Sequence, residues 1–433
     1  MRWIKKRLDS DKFFFSLWCI IASFGAYFCM YAFRKPFNTG LYADYALWGI
    51  DYKIVLIITQ VLGYMTSKFI GIKVISELSP YKRIKLILGL ILFSEIALFL
   101  FGLTPFPYNW VFLFFNGLPL GMVWGVIFSF LEGRRTTEVL ALGLSGNMVV
   151  SSGVLKTIYL NINESFGLSE FWMPFVIGLI FLPVFVFFVW MLSVIPKPNA
   201  EDIAQRSIRP PMTRRNRQQV IKQFGWGLLC VTVAYALMAT IRDFRDNFSV
   251  EIWKQLDSGF DKAVFARTET IIGVIVLMMI ATIAIIKNNI KAFNVLHLLM
   301  FLSLLLCGVS SWLFEQNLIS AYWWMIMLGV GLFFPYLSIQ TVFFERLIAI
   351  FRINANAGFM VYICDSVGYL GSVGLLIYKN FFLNKLSWVD LLIFFGYAIC
   401  IVGCVLLILE LIFFGFTPKP KEQILNELTS TTS

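Results

Sequence analysis

The chain has 433 residues, 59% of them hydrophobic and only 14% charged, with 45 Phe, 13 Trp and a net charge of +11. A soluble globular domain carries about 25% charged residues, so this composition excludes that class and identifies an integral membrane protein. The seven cysteines, Cys19, Cys29, Cys230, Cys307, Cys364, Cys400 and Cys404, lie in apolar stretches without metal-ligand spacing and read as small apolar residues.

The basic arm MRWIKKRLDSDK precedes an uncharged run over 13–33. That run exceeds the ~7–15 apolar residues of a signal peptide, and no small-residue cleavage site follows it, so it reads as a retained first span. Apolar segments then follow at 52–77, 84–104, 110–131, 138–160, 172–195, 224–247, 263–286, 292–314, 321–344, 355–377 and 389–416; with 13–37 they make twelve. All are predicted helices, because a bilayer accepts only helices and closed barrels.

Orientation follows from Lys and Arg. The outer loops near 105–109, 162–171 and 315–320 hold no basic residue, whereas the N-terminal arm, the even-to-odd loops and the tail concentrate them, which predicts both termini cytoplasmic. The positive charge is then a topological signal, and no stacking motif for nucleic acid accompanies it. The longest polar stretch, PKPNAEDIAQRSIRPPMTRRNRQQVIKQ, carries Arg206, Arg209, Arg214, Arg215, Arg217 and Lys222. It divides the chain into an N-terminal six-helix bundle (1–195), a cytoplasmic basic linker (196–223), a C-terminal six-helix bundle (224–416) and a cytoplasmic tail (417–433).

Equal halves predict a duplication. AYFCMYAFR (26–34) aligns with AYALMATIR (234–242), setting Tyr27 over Tyr235 and Arg34 over Arg242; SGNMVV (145–150) aligns with AGFMVY (357–362), and LEGR (131–134) echoes FERL (344–347). Polar stripes mark the spans. Tyr27, Tyr31 and Arg34 are spaced i, i+4, i+7 on one helical face; Gln60, Tyr64, Ser67 and Lys68 form a second stripe; Tyr362, Asp365 and Tyr369 form a third.

Arg34 and Lys35 admit two readings. At ~1.5 Å per residue from Lys12, Arg34 stands about 33 Å along its helix, where it could be an interfacial anchor that snorkels. Against this, paired outer cations oppose the positive-inside bias, and Arg242 recurs in the other half, with Arg245 close behind. The alternative is anion binding, to which Arg brings a planar fork of paired donors. Lys68, ~24 Å into the second span, calls for an anionic partner, either a substrate or a protein carboxylate. Asp365, ~15 Å into the eleventh span, is a structural ion pair or a proton-coupling carboxylate. Glu95 and Lys156 carry the same two readings, with a charge partner as the cheaper one. His297 reads as a helix-end residue, the small residues of SGNMVVSSG as a packing face, and Pro335 as the kink of a gating tenth span. No catalytic motif is present, which argues against an enzyme.

AYFCMYAFRKPF, GYMTSKF (63–69) and NGLPLGMVWG (116–125) resemble the major facilitator superfamily, and within it the organophosphate:phosphate antiporters that carry glycerol phosphate or hexose phosphates. Tyr27, Tyr31, Arg34, Lys35 and Phe37 fit their first helix, with Pro36 in place of Asn; Ser67, Lys68 and Phe69 fit the end of their second. The loop GIKVISELSPYKR keeps only Glu77, Lys82 and Arg83 of the usual superfamily pattern, and SGNMVVSSG has no counterpart to the antiporters' fifth-helix histidine. The resemblance implies an all-α membrane protein of twelve helices in two pseudo-symmetric six-helix bundles around one cavity reached from alternate sides. It further implies secondary active transport of a small organic anion, such as a phosphate ester exchanged for phosphate, by Arg34, Arg242, Lys68, Tyr27, Tyr31, Tyr64, Tyr235 and Tyr362, with Asp365, Glu95 and Lys156 in coupling or gating. The alternatives are a proton-coupled carboxylate or sugar-acid symporter and a transporter-like sensor without flux. Expected partners are an anionic solute, a proton or phosphate as coupling ion, and the bilayer of a bacterial cytoplasmic membrane. A monomer without cofactor, metal or nucleic acid is expected.

Overall fold

Where lipid offers no hydrogen bonds, an apolar run must satisfy its own backbone, and in this chain it does so as helix. The computed structural model describes residues 2–76, 80–131, 137–196, 214–257, 259–352, 357–382 and 386–418. Its helices are α1 (Arg2–Ser10), α2 (Lys12–Ala32), α3 (Tyr52–Ser76), α4 (Arg83–Leu103), α5 (Trp110–Phe128), α6 (Thr137–Ser145), α7 (Asn147–Phe166), α8 (Met173–Val194) and α9 (Arg214–Asn247). They continue as α10 (Ser249–Leu256), α11 (Val264–Ile285), α12 (Asn289–Glu315), α13 (Ala321–Ser338), α14 (Phe344–Phe351), α15 (Ala357–Phe382), α16 (Trp388–Ala398) and α17 (Cys404–Phe416). Single π-turns, Ile339–Phe343 and Ile399–Gly403, join α13 to α14 and α16 to α17. A two-residue hairpin pairs β1 (Ala46–Leu47) with β2 (Ile50–Asp51).

Among the described residues, eleven helical stretches are long and apolar enough to cross a membrane, and the protein is an all-α, multi-pass membrane protein. The expected span over 138–160 is not one helix: it breaks at Gly146 into α6 and α7. The interruption is slight: Gly146 keeps right-handed helical dihedrals, its N–H donates to Leu142 O at 3.2 Å and its carbonyl accepts from Val150 N at 3.3 Å, while the Asn147 side chain donates to Phe24 O of α2 at 3.0 Å. A second correction concerns the linker. Helix α9 begins at Arg214, inside the stretch expected to be linker up to 223; Arg and Gln favour helix as well as solvent. Residues 197–213 and 419–433, which hold the rest of the expected linker and most of the tail, lie outside the described residues.

The described residues fall into two compact units. Unit 1 takes those within Met1–Ser207, Asp246–Thr270 and Leu376–Lys385; unit 2 takes those within Ile208–Arg245, Ile271–Leu375 and Leu386–Ser433. Two segments from the C-terminal side of the expected linker thus belong to unit 1. Its tightest seam joins α3 to α5, where a Cβ on Gly121 would stand 2.7 Å from Tyr64 O, so only a small residue lets the backbones meet. After α2 the chain turns through Tyr42, whose φ of 50° is left-handed. Glu170 fixes that turn by accepting from Leu41 N at 2.9 Å and Tyr42 N at 2.8 Å. Burial, with Tyr159 and the Glu170 carboxylate nearby, pushes the Tyr42 phenol well above its ordinary pKa.

Candidate functional sites

In unit 1 the C-terminal end of α2 leaves carbonyls without intrahelical partners, and neighbouring spans supply the donors. Asn116 of α5 donates to Phe33 O at 3.0 Å and to Ser94 Oγ of α4 at 2.6 Å; Gln60 of α3 donates to Arg34 O at 2.9 Å and to Asn116 Oδ1 at 2.7 Å. This buried amide pair sets where the Arg34 side chain starts. The guanidinium lies over the Tyr64 ring, 4.0 Å from Cζ to centroid, and 6.0 Å from Tyr31. Lys68, one turn beyond Tyr64, brings its Nζ to 5.6 Å from the same ring. Tyr27 and Tyr31 meet edge to face at 5.4 Å. Unit 1 therefore brings together all five of its predicted substrate-binding residues, with two cations beside one aromatic ring.

Lys35 and Lys156 go elsewhere. Both bind Asp246, Lys35 at Oδ2 (2.5 Å) and Lys156 at Oδ1 (2.6 Å), and Ser152 donates to that Oδ1 at 2.6 Å. Asn247 beside it accepts from Lys35 at 3.1 Å and from Asn38 at 2.7 Å. Lys53 pairs with Glu251 at 2.5 Å. Lys156 is therefore part of a carboxylate-centred cluster. Asp246, its centre, escapes a reading by spans because it sits in the charged end RDFRDN of α9.

In unit 2, Tyr235 of α9 donates its hydroxyl to Asp365 Oδ1 of α15. Gln340, carried on the π-turn, donates to Tyr235 Oη at 2.7 Å, Tyr336 Oη at 2.9 Å and Asp365 Oδ1 at 3.1 Å. The Tyr235 and Tyr336 rings stack at 4.9 Å, and the Arg242 guanidinium lies 3.9 Å over Tyr336. Asp243 holds Arg242 at 2.5 Å and accepts from Ser372 at 2.9 Å. Pro335 and the π-turn four residues later are what turn Gln340 towards Asp365; π-turns inside helices recur at functional sites. Gln340, Tyr336 and Asp243 are additions to the sequence reading, and polar residues in an apolar span are the signal that could have found them.

The remaining residues are dispersed. Tyr362 lies one turn before Asp365, its carbonyl accepting from Ser366 at 2.8 Å. Arg245 is buried and donates to Met325 O at 3.1 Å. Glu95 faces α8, with its carboxyl against Gly178. His297 is no helix-end residue: it is 4% exposed inside α12, with Nε2 3.0 Å from Glu410 Oε1 and Nδ1 2.7 Å from Phe293 O. A carbonyl can only accept, so Nδ1 carries the proton. The buried Glu410 of α17, not singled out by the sequence, draws the histidine inward. Among the described residues no group of three or more His, Cys, Asp or Glu is arranged to hold a metal.

A family model described as a family of unknown function (DUF5690) matches residues 36–416. No curated protein sequence matches significantly. Among solved structures the chain is similar to a nucleoside transporter, with TM-score 0.62 and 13% identity over 92% of this chain and 99% of that one. It is also similar to a POT peptide transporter in complex with alafosfalin, with TM-score 0.61 and 12% identity over 91% and 94% of the two chains. A D-xylose–proton symporter gives TM-score 0.60 and 14% identity over 94% and 98%. These likenesses establish a major-facilitator type of fold.

Proposed function

We propose that this chain, which belongs to the DUF5690 family, is a secondary active transporter of a small organic anion working by alternating access. The observation that carries the reading is the Arg34–Tyr64–Lys68 group, a guanidinium and an ammonium 4.0 Å and 5.6 Å from one ring in an apolar bundle. An anionic solute placed beside this ring is attracted to both cations. The flat fork of Arg34 suits a carboxylate or phosphate, and Lys68 adds a point charge. A phosphate ester exchanged for phosphate is the preferred cargo, because the same motif residues carry the resemblance to the organophosphate antiporters. The distribution of Lys and Arg supports cytoplasmic termini in a bacterial inner membrane.

One observation favours a second reading. Asp365 shares hydrogen bonds with Tyr235 and Gln340, a setting in which a carboxyl can exchange a proton with a phenol and an amide as neighbours. A proton-coupled carboxylate or sugar-acid symporter would use it. A thermal-shift screen of purified protein separates the cargo classes. Stabilisation by glycerol phosphate, hexose phosphates or inorganic phosphate that disappears in Arg34→Ala supports the first reading; stabilisation by carboxylates alone supports the second; no response to any anion overturns the anion assignment.

A further inference from the structure

Glu95 is the thirteenth residue of α4, about 18 Å along a membrane-spanning helix. It takes part in an antiparallel seam between α4 and α8. A Cβ on Gly102 would stand 2.8 Å from the Trp172 ring, Phe99 meets Phe175 at 5.3 Å, and the Glu95 carboxyl fills the space left by Gly178, where any Cβ would collide with Oε2. Glu95 is 4% exposed, and among the described residues neither carboxyl oxygen has a hydrogen-bond partner. The sequences of α5 and α8, the two helices packed along α4, contain no acidic, basic or histidine residue. On α4 itself the basic residues Lys85 and Arg83 are about 15 Å and 18 Å away along the axis, and Lys82, just before it, about 20 Å. Ser94 next door is engaged by Asn116 at 2.6 Å.

A carboxylate in this seam would lose its hydration and receive no donor in return, whereas the neutral acid loses far less. We propose that Glu95 is a proton-binding site inside the N-terminal bundle, held as the acid in the α4–α8 seam, and a modification site for a membrane-permeant carbodiimide. The adjoining face is open to lipid: Leu92, Phe93 and Ile96 are exposed by 53%, 48% and 50%. In the modification the acid's O–H proton moves to one carbodiimide nitrogen while the oxygen adds to the central carbon. The O-acylisourea then passes its acyl group to the neighbouring nitrogen, giving an N-acylurea that retains every atom of both reactants. Proton release needs water or another proton acceptor to enter the seam, so occupancy of Glu95 is coupled to how α4 packs on α8.

The test treats the full chain in phosphatidylcholine nanodiscs at neutral pH with dicyclohexylcarbodiimide or with a water-soluble carbodiimide, followed by peptide mass spectrometry. The proposal expects an N-acylurea on Glu95 from the hydrophobic reagent, with at least a tenfold lower yield from the water-soluble one. Glu95→Gln abolishes the adduct and leaves the melting temperature within about 2 °C, because one neutral group replaces another. Gly178→Ala, which crowds the carboxyl out of the seam, lowers the hydrophobic labelling several-fold, and should that variant fail to fold, Glu95→Gln decides alone. Absence of the adduct, equal labelling by both reagents, or a large melting loss in Glu95→Gln would each overturn the proposal.

Discussion

Arg34 in unit 1 and Arg242 in unit 2 occupy matching positions of the sequence repeat, and each guanidinium lies over a tyrosine ring, at 4.0 Å and 3.9 Å. The rings are not equivalent. Tyr64 comes from the span that follows Arg34, whereas Tyr336 comes from α13, well beyond Arg242 in the chain. The second charge also differs: the Lys68 ammonium shares the ring of Arg34, whereas the Asp243 carboxylate holds Arg242, with Asp365 joined to Tyr235 close by. One geometry of cation on ring is thus kept in both halves, with the Lys68 ammonium beside it in unit 1 and the Asp243 carboxylate beside it in unit 2.

The comparison can be broken most forcefully at Asp365. On the symport reading, Asp365→Asn should abolish gradient-driven uptake in proteoliposomes while anion binding by thermal shift survives; retained uptake with a lowered melting temperature would make Asp365 a structural residue of unit 2. Next in size is Asn116→Ala, which strips Phe33 O and Gln60 of their partners. A buried polar group left unsatisfied costs about 1–3 kcal/mol, so a clear fall in melting temperature is expected, with anion affinity reduced because Arg34 loses its footing. Arg34→Lys keeps the charge and loses the fork, and should weaken anion binding by roughly tenfold, about 1.4 kcal/mol. Arg242→Lys retains its pairing with Asp243 and should cost less, about 1 kcal/mol or under. Equal effects at both positions would erase the distinction between the units. The smallest change is Tyr64→Phe, which preserves the ring face and should leave affinity within about twofold, whereas Tyr64→Leu removes it.

Much of the architecture was legible because hydropathy reports long apolar helices directly. The division of the fifth span into α6 and α7 was not, since it turns on the single residue Gly146, which no hydropathy window can see. The five polar residues of unit 1 were readable from spacing, as i, i+4 and i+7 place side chains on one face. Their partners were harder. Asn116 and Gln340 are single amides in apolar surroundings whose importance appears only once several helices converge on them. Asp246 was hidden for the opposite reason, one acid among several charges at a helix end, although it gathers both Lys35 and Lys156. His297 shows the same limit of local reading, because its partner Glu410 lies more than a hundred residues away in sequence.

The central claim is that the protein moves an anion across a bilayer by exchange. Counterflow in proteoliposomes preloaded with phosphate, with no proton gradient imposed, tests it most directly. The account predicts accumulation of labelled phosphate or glycerol phosphate in wild-type vesicles and its loss in Arg34→Ala. Saturable anion binding with no flux under any gradient would contradict it and leave a sensor built on a transporter's fold.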